Sequence, residues 1–171
     1  MPRSALTLDE ALNLVKTGKP DNLVEALKSL STLEGVDVVR LERDLESSNI
    51  LVRWFAAAVL GYVADERARE ALRRALQDES ASVRVSAAQS LVALSSAEGI
   101  PTLIDALASD EIMIGHPPQL VSQYARALLE AQTERRIDFD PSDPTQRLHA
   151  SRSWREWWGS IGSEEQERKG R

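Results

Sequence analysis

The sequence predicts an all-α solenoid: a stack of about four helix pairs closed by a tryptophan-rich C-terminal helix. Three observations point there. A Leu-x-x-x-Leu pair recurs at Leu41/Leu45, Leu72/Leu76 and Leu103/Leu107, so the steps from 41 to 72 and from 72 to 103 are both 31 residues. A second signature, Val-Arg-x-x-Ala-Ala-x-x-Leu, begins at Val52 and again at Val83, at the same offset. Glycine and proline are few, 8 and 7 in 171 residues, and most stand where elements would end. A fixed period of this size marks repeat architectures, in which one helix pair cannot bury its apolar face alone and stacking supplies the core.

The elements follow in order. A degenerate first repeat is expected over 5–35, where Leu8 and Leu12 match Leu41 and Leu45, and Ala26, Leu30 and Leu33 match Ala87, Leu91 and Leu94. Clear repeats follow over 36–65, 66–96 and 97–131. Then come a loop over 132–144, a capping helix over 145–160 and a flexible tail over 161–171. Helices are predicted near 7–17, 20–33, 37–46, 49–64, 66–77, 80–95, 99–108, 117–131 and 145–159. Thr7 with Glu10 reads as a capping box, Asp65 and Ser80 as further starts, and Pro20 as a first-turn proline. In the third repeat Ile114-Gly115 replaces Val-Arg. The pattern resumes at Ala125 and Leu128, offset by 37 from Ala88 and Leu91, so about six residues are inserted there.

Composition narrows the function. The net charge is −6, which disfavours binding to phosphate backbones. There is no cysteine, so disulfides, zinc-thiolate sites and thiol catalysis are out. The longest apolar run, 55–63, falls well short of the roughly 18 residues of a membrane span. The N-terminal stretch is amphipathic and acidic rather than a secretory signal, which makes the cytoplasm the expected location.

Leu-x-x-x-Leu followed by Val-Arg-x-x-Ala-Ala-x-x-Leu, at a period near 31, resembles the short bacterial HEAT repeats, also called phycobilisome-lyase-type HEAT-like repeats. The resemblance is strongest over 41–108. It implies a right-handed α-solenoid with outer and inner helix layers. It also implies that Arg53 and Arg84 sit at repeat junctions and pair with loop carboxylates such as Asp78 or Asp110. Members of this family are mostly scaffolds and adaptors, and a minority are enzymes or assist them.

The candidate sites are few. Trp154, Trp157 and Trp158 fall at i, i+3 and i+4 on one helical face, which suits a C-terminal cap over the last repeat; the other use is a partner groove. Trp54 and Phe55 stand where the next copy has Val85 and Ser86, and position 58 maps onto Gln89 and then Arg126. A strip through Trp54, Phe55, Gln89, Gln123 and Arg126 is therefore the candidate partner-binding surface, since solenoids vary their non-core positions to encode specificity and aromatics and Arg dominate hot spots. The plain alternative for Trp54 and Phe55 is packing between layers. Arg67, Arg69, Arg73 and Arg74 interleave with Glu66 and Glu70, as on a solvated, salt-bridged helix face. His116 and His149 are isolated and make no metal set. Acids at 138, 140 and 143 do not fit a calcium loop and read as a turn.

No catalytic, cofactor or metal residues are expected. The leading function is a non-catalytic scaffold that binds a protein partner on the inner helix layer. A bilin-lyase-like or other enzyme-accessory role, which the resemblance brings with it, is the alternative. Nucleic-acid binding comes third, against the charge. A short array of this kind also leaves homo-oligomerisation open.

Overall fold

A computed structural model describes residues 6–33, 36–114, 119–133 and 135–169, with side chains as far as residue 161. His116 lies outside the described residues. The elements are α1 (Leu8–Lys16), α2 (Pro20–Ser29), α3 (Val38–Asp44), α4 (Ile50–Leu60), α5 (Glu66–Ala75), α6 (Ala81–Ala93), α7 (Ile100–Ala106), α8 (Val121–Thr133) and α9 (Pro144–Lys169). Short 3-10 turns extend α2 at Leu30–Thr32 and precede α7 at Ala97–Gly99. The helices start where side chains can satisfy the first free amides. Thr7 and Glu10 form the reciprocal capping box, and Asp37, Asn49 and Asp65 accept from the amides of Val39, Leu51 and Arg67. Ser80 occupies the cap position of α6 without a side-chain bond to it.

Helices α1/α2, α3/α4, α5/α6 and α7/α8 pack as antiparallel pairs, α4 packs on α6 and α6 on α8, and α9 lies against α7. The molecule is an α-solenoid. Two expectations change. Helix α9 continues to Lys169, through most of the stretch expected to be a flexible tail. Helix α8 begins at Val121, four residues later than predicted, because the inserted segment is pinned first: Ile112 bridges Leu120, and the amides of Met113 and Val121 donate to the carbonyls of Gln119 and Glu111.

The core is tightest between α4 and α6. Ala56, Ala57, Ala87 and Ala88 are fully enclosed, and their small side chains let the helices approach closely. Ser86 and Ser90 donate across the gap to the carbonyls of Trp54 (3.2 Å) and Ala57 (2.8 Å). A Cβ on Gly61 would lie 2.6 Å from the Ser90 Oγ, and one on Gly99 would lie 2.3 Å from the Ala88 carbonyl oxygen. The second overlap is with backbone, so no rotamer change relieves it.

The outer layer is stitched by ion pairs. Arg40 meets Asp9 (3.2 Å), Arg67 and Arg74 meet Glu42 (2.6 and 3.1 Å), Arg73 meets Glu98 (2.7 Å) and Arg155 meets Asp105 (2.6 Å). Arg67, Arg74 and Arg73 of α5 thus reach across to α3 and to the turn before α7, while Arg69 and Arg73 face Glu66 on their own helix. Stacking brings Glu42 and Glu98 alongside α5, where an arginine stem spans the gap. The paired guanidiniums hold the carboxyls of Glu42 and Glu98 below their ordinary value of 4.5, chiefly through hydrogen bonds from Arg67 and Arg73.

Two outcomes follow. Gly99→Ala should cost about 1–3 kcal/mol through overpacking, read as a lower urea midpoint at unchanged slope. Gly159→Ala, where an added Cβ meets nothing within 4 Å, should hold or raise the midpoint. Because Glu42 and Glu98 are depressed in the fold, their contribution is present above the unfolded carboxyl value and is lost as pH falls through the folded values. The melting temperature followed by circular dichroism should hold from neutral pH down to about 5 and drop below about 4.5. The Glu42→Gln/Glu98→Gln variant should melt lower at neutral pH and show a shallower acid decline.

Candidate functional site

Two arrangements stand out, a set of junction arginines and a groove on the second-helix layer. Arg53 is nearly buried, 7 % exposed. Its Nε donates to Asp78 Oδ2 (2.8 Å), and its Nη2 donates to Asp78 Oδ1 (3.2 Å) and Glu79 Oε1 (2.9 Å). Its Nη1 donates to the Ser47 carbonyl (2.9 Å). A planar guanidinium spends almost all its donors here, which is the geometry that makes Arg irreplaceable by Lys.

Arg84 repeats only part of this. Its Nη1 donates to the carbonyls of Asp78 (2.7 Å) and Glu79 (2.9 Å). The expected pairing with Asp110 does not occur. The position one period after Asp78 is 78 + 31 = 109, a serine, and the acid has moved one residue on. Asp110 is largely exposed and lies 3.8 Å from Arg147 instead.

Arg147 was missed by the sequence reading. It is 7 % exposed, and its Nη1 donates to the Pro141 carbonyl (2.8 Å). Arg53, Arg84 and Arg147 all reach the carbonyl six residues back, and all stand four residues after the cap position just before their helix, Asn49, Ser80 or Asp143. That cap-plus-four spacing is the signal. A search for Val-Arg passes over it, because Gln146 precedes Arg147.

The groove, about 300 Å³, crosses the second-helix layer. Leu27 and Leu30 contribute from the α2 end, Trp54, Ala58 and Tyr62 from the α4 side, Gln89 and Ala93 from α6, and Tyr124 from α8. Among the described residues its lining carries no ionisable acid or base apart from the two tyrosine hydroxyls. The Tyr124 hydroxyl donates to Gln89 Oε1 (2.9 Å), which links α8 to α6. Burial pushes the Tyr124 phenol above its ordinary value, opposed by that hydrogen bond. Tyr62 is 60 % exposed at the rim.

The structure divides the predicted strip. Trp54 and Gln89 both border this groove, but Trp54 is nearly enclosed, 2 % exposed, and packs into the core, so of the two only Gln89 presents an exposed side chain. Phe55 does not: it is fully enclosed, because the next residue on a helix turns about 100° away and here faces the packed interior. Gln123 is spent at the start of α8, where its side chain accepts from the Leu120 amide (3.0 Å). Arg126 stacks on Phe139, 5.3 Å from the ring centre. Tyr62 and Tyr124 take the places assigned to these residues. The late start of α8 shifts which of its residues face the groove.

At the C-terminal end, Trp154 is enclosed and Trp157 and Trp158 are half-buried against the core. Trp154 and Trp157 meet edge to face at 5.4 Å, and Arg135 lies over both rings. The acids of the 138–144 loop serve local structure: Asp140 accepts from Ser142, and Asp143 caps α9 through the Thr145 amide. Among the described residues no cluster of His, Cys, Asp or Glu is grouped to hold a metal ion, and no helix is long and apolar enough to cross a membrane.

No curated protein matches the chain significantly. Residues 38–113, from the start of α3 through both copies of the Val-Arg signature to the pinned insertion, match the family model for HEAT repeats.

Proposed function

We propose that the protein is a non-catalytic scaffold that docks a protein partner along the groove formed by its second helices. The observation that carries this is the groove lining itself. Tyr62 and Tyr124 border a floor of small residues that the nearly enclosed Trp54 completes, and Gln89 supplies an amide beside them. Aromatic anchors on an uncharged, partly desolvated surface are what concentrates binding energy at protein interfaces. HEAT repeats generally serve in protein interaction, and the groove runs across successive repeats as such surfaces do. The charge distribution favours this over nucleic acid. The net charge is −6, and Arg40, Arg53, Arg67, Arg73, Arg74 and Arg155 are engaged with carboxylates rather than open to phosphates.

The test is capture of partners from the native host by wild type, Tyr62→Glu, Gln89→Lys and Leu148→Glu, each first confirmed folded by circular dichroism. Leu148 is as exposed as Tyr62 but lies on α9. Tyr62→Glu and Gln89→Lys should lower recovery of a specific partner by about ten-fold or more, the scale of a hot-spot loss. Leu148→Glu should not. Equal recovery by all four proteins overturns the assignment.

A further inference from the structure

We infer that the repeat junction at Arg84 is a binding site for a carboxylate, separate from the groove. A cavity of about 510 Å³ opens there, bordered by Arg84, Thr102 and Ser109 and by the acids Asp105, Asp110 and Glu111. The preceding junction supplies the template. There Asp78 does two jobs: its Oδ1 accepts from the Ser80 amide (2.9 Å), which closes the turn, and its carboxylate takes the Nε and Nη2 edge of Arg53. Ser109 stands one period later and keeps only the first. Its Oγ accepts from the Glu111 amide (3.2 Å), and a hydroxyl cannot answer a guanidinium edge with two acceptor oxygens.

Arg84 is otherwise set as Arg53 is, with Nη1 held by the carbonyl six residues back. Among the described residues it has no ion pair, and its Nε and Nη2 make no hydrogen bond, although these are the atoms that hold Asp78 at the earlier junction. The neighbouring acids are already engaged. Asp105 meets Arg155 at 2.6 Å, Asp110 lies 3.8 Å from Arg147, and Glu111 accepts from the Ala81 amide at 3.4 Å. Asp105 and Asp110 thus lie beside arginines that border the junction from outside its lining, which offsets part of the negative charge around Arg84. A carboxylate seated on the open edge would complete the fork-to-fork pair that the earlier junction makes within the chain. It can come from a small free acid or from an acidic side chain of a protein, and the chemistry is the same.

The test follows the side-chain Nε–H resonance of Arg84 by nitrogen-edited NMR on the full chain. Sodium acetate is titrated against sodium chloride at equal ionic strength, and a capped Gly-Glu-Gly peptide against its Gly-Gln-Gly counterpart. Acetate and the Glu peptide should shift the resonance saturably; chloride and the Gln peptide should not. A tighter response to the peptide identifies a protein side chain as the source, and an equal response identifies a free acid. Ser109→Asp restores the missing carboxylate, so it should raise the melting temperature and weaken the acetate response by about ten-fold or more, the scale of one charge-assisted pair. In Arg84→Gln, confirmed folded, the backbone amides of Thr102 and Ser109 should no longer respond. The site is overturned if acetate shifts nothing beyond chloride, if Ser109→Asp responds like wild type, or if Ser109→Asp melts lower.

Discussion

The contact between α4 and α6 is the constraint on which the rest of the solenoid hangs. Four alanines bring the two helix backbones together, and two serine hydroxyls then bridge to carbonyls on the facing helix. Neither bond would reach across larger side chains. Each serine is buried, and its hydroxyl satisfies itself on a carbonyl already used within a helix, so the polar groups cost little and fix the register. Gly61 and Gly99 mark the two places where even a methyl group is excluded. Once this spacing is set, the first helices lie close enough for arginines to cross between them, and the second helices lie far enough apart at one edge to leave a groove.

The two faces use charge in opposite ways. On the outer layer a chain of ion pairs runs from Asp9 and Arg40 through Glu42, Arg67 and Arg74 to Arg73 with Glu98, and then Asp105 with Arg155. Exposed pairs contribute little singly, but each joins neighbouring elements rather than two turns of one helix. They act against slippage between repeats. The groove side has tyrosine, tryptophan, serine and glutamine instead, so its polarity is directional and neutral. A charged side chain entering it would find no counter-charge among the described residues of the lining.

The fold was legible because periodicity is written redundantly. Leucines at 41, 72 and 103, the two Val-Arg signatures and the caps at Thr7 and Asp65 each report the same helix pairs. The site was legible only in part. Trp54 and Gln89 depart from the repeat at second-helix positions and both border the groove, Gln89 exposed and Trp54 packed into the core. Phe55 was misplaced because adjacent positions on one helix face different directions, and departure from a repeat does not say which. Gln123 and Arg126 were misplaced for another reason. Counting an offset of 37 across the insertion assumes that α8 keeps the phase of α6, whereas the bridge between Ile112 and Leu120 resets where the helix begins. An insertion breaks the arithmetic that makes a repeat readable, and Tyr124 was overlooked on that account.

The junction arginines carry the same lesson further. Viewed by neighbours in sequence, Arg53 and Arg84 are twins and Arg147 is unrelated. Viewed by distance from the helix start, all three are one device: a guanidinium folded back over the turn that precedes its own helix, with Nη1 on a carbonyl six residues behind. The remaining edge is then free to choose a partner. In Arg53 it takes a carboxylate of the next repeat, and in Arg147 it turns toward Ala108 and Asp110 at the end of α7. The device therefore fixes the turn before α4, α6 and α9 and leaves the second contact to the local sequence, so a single change from aspartate to serine alters what a junction can hold without disturbing the helix that presents it.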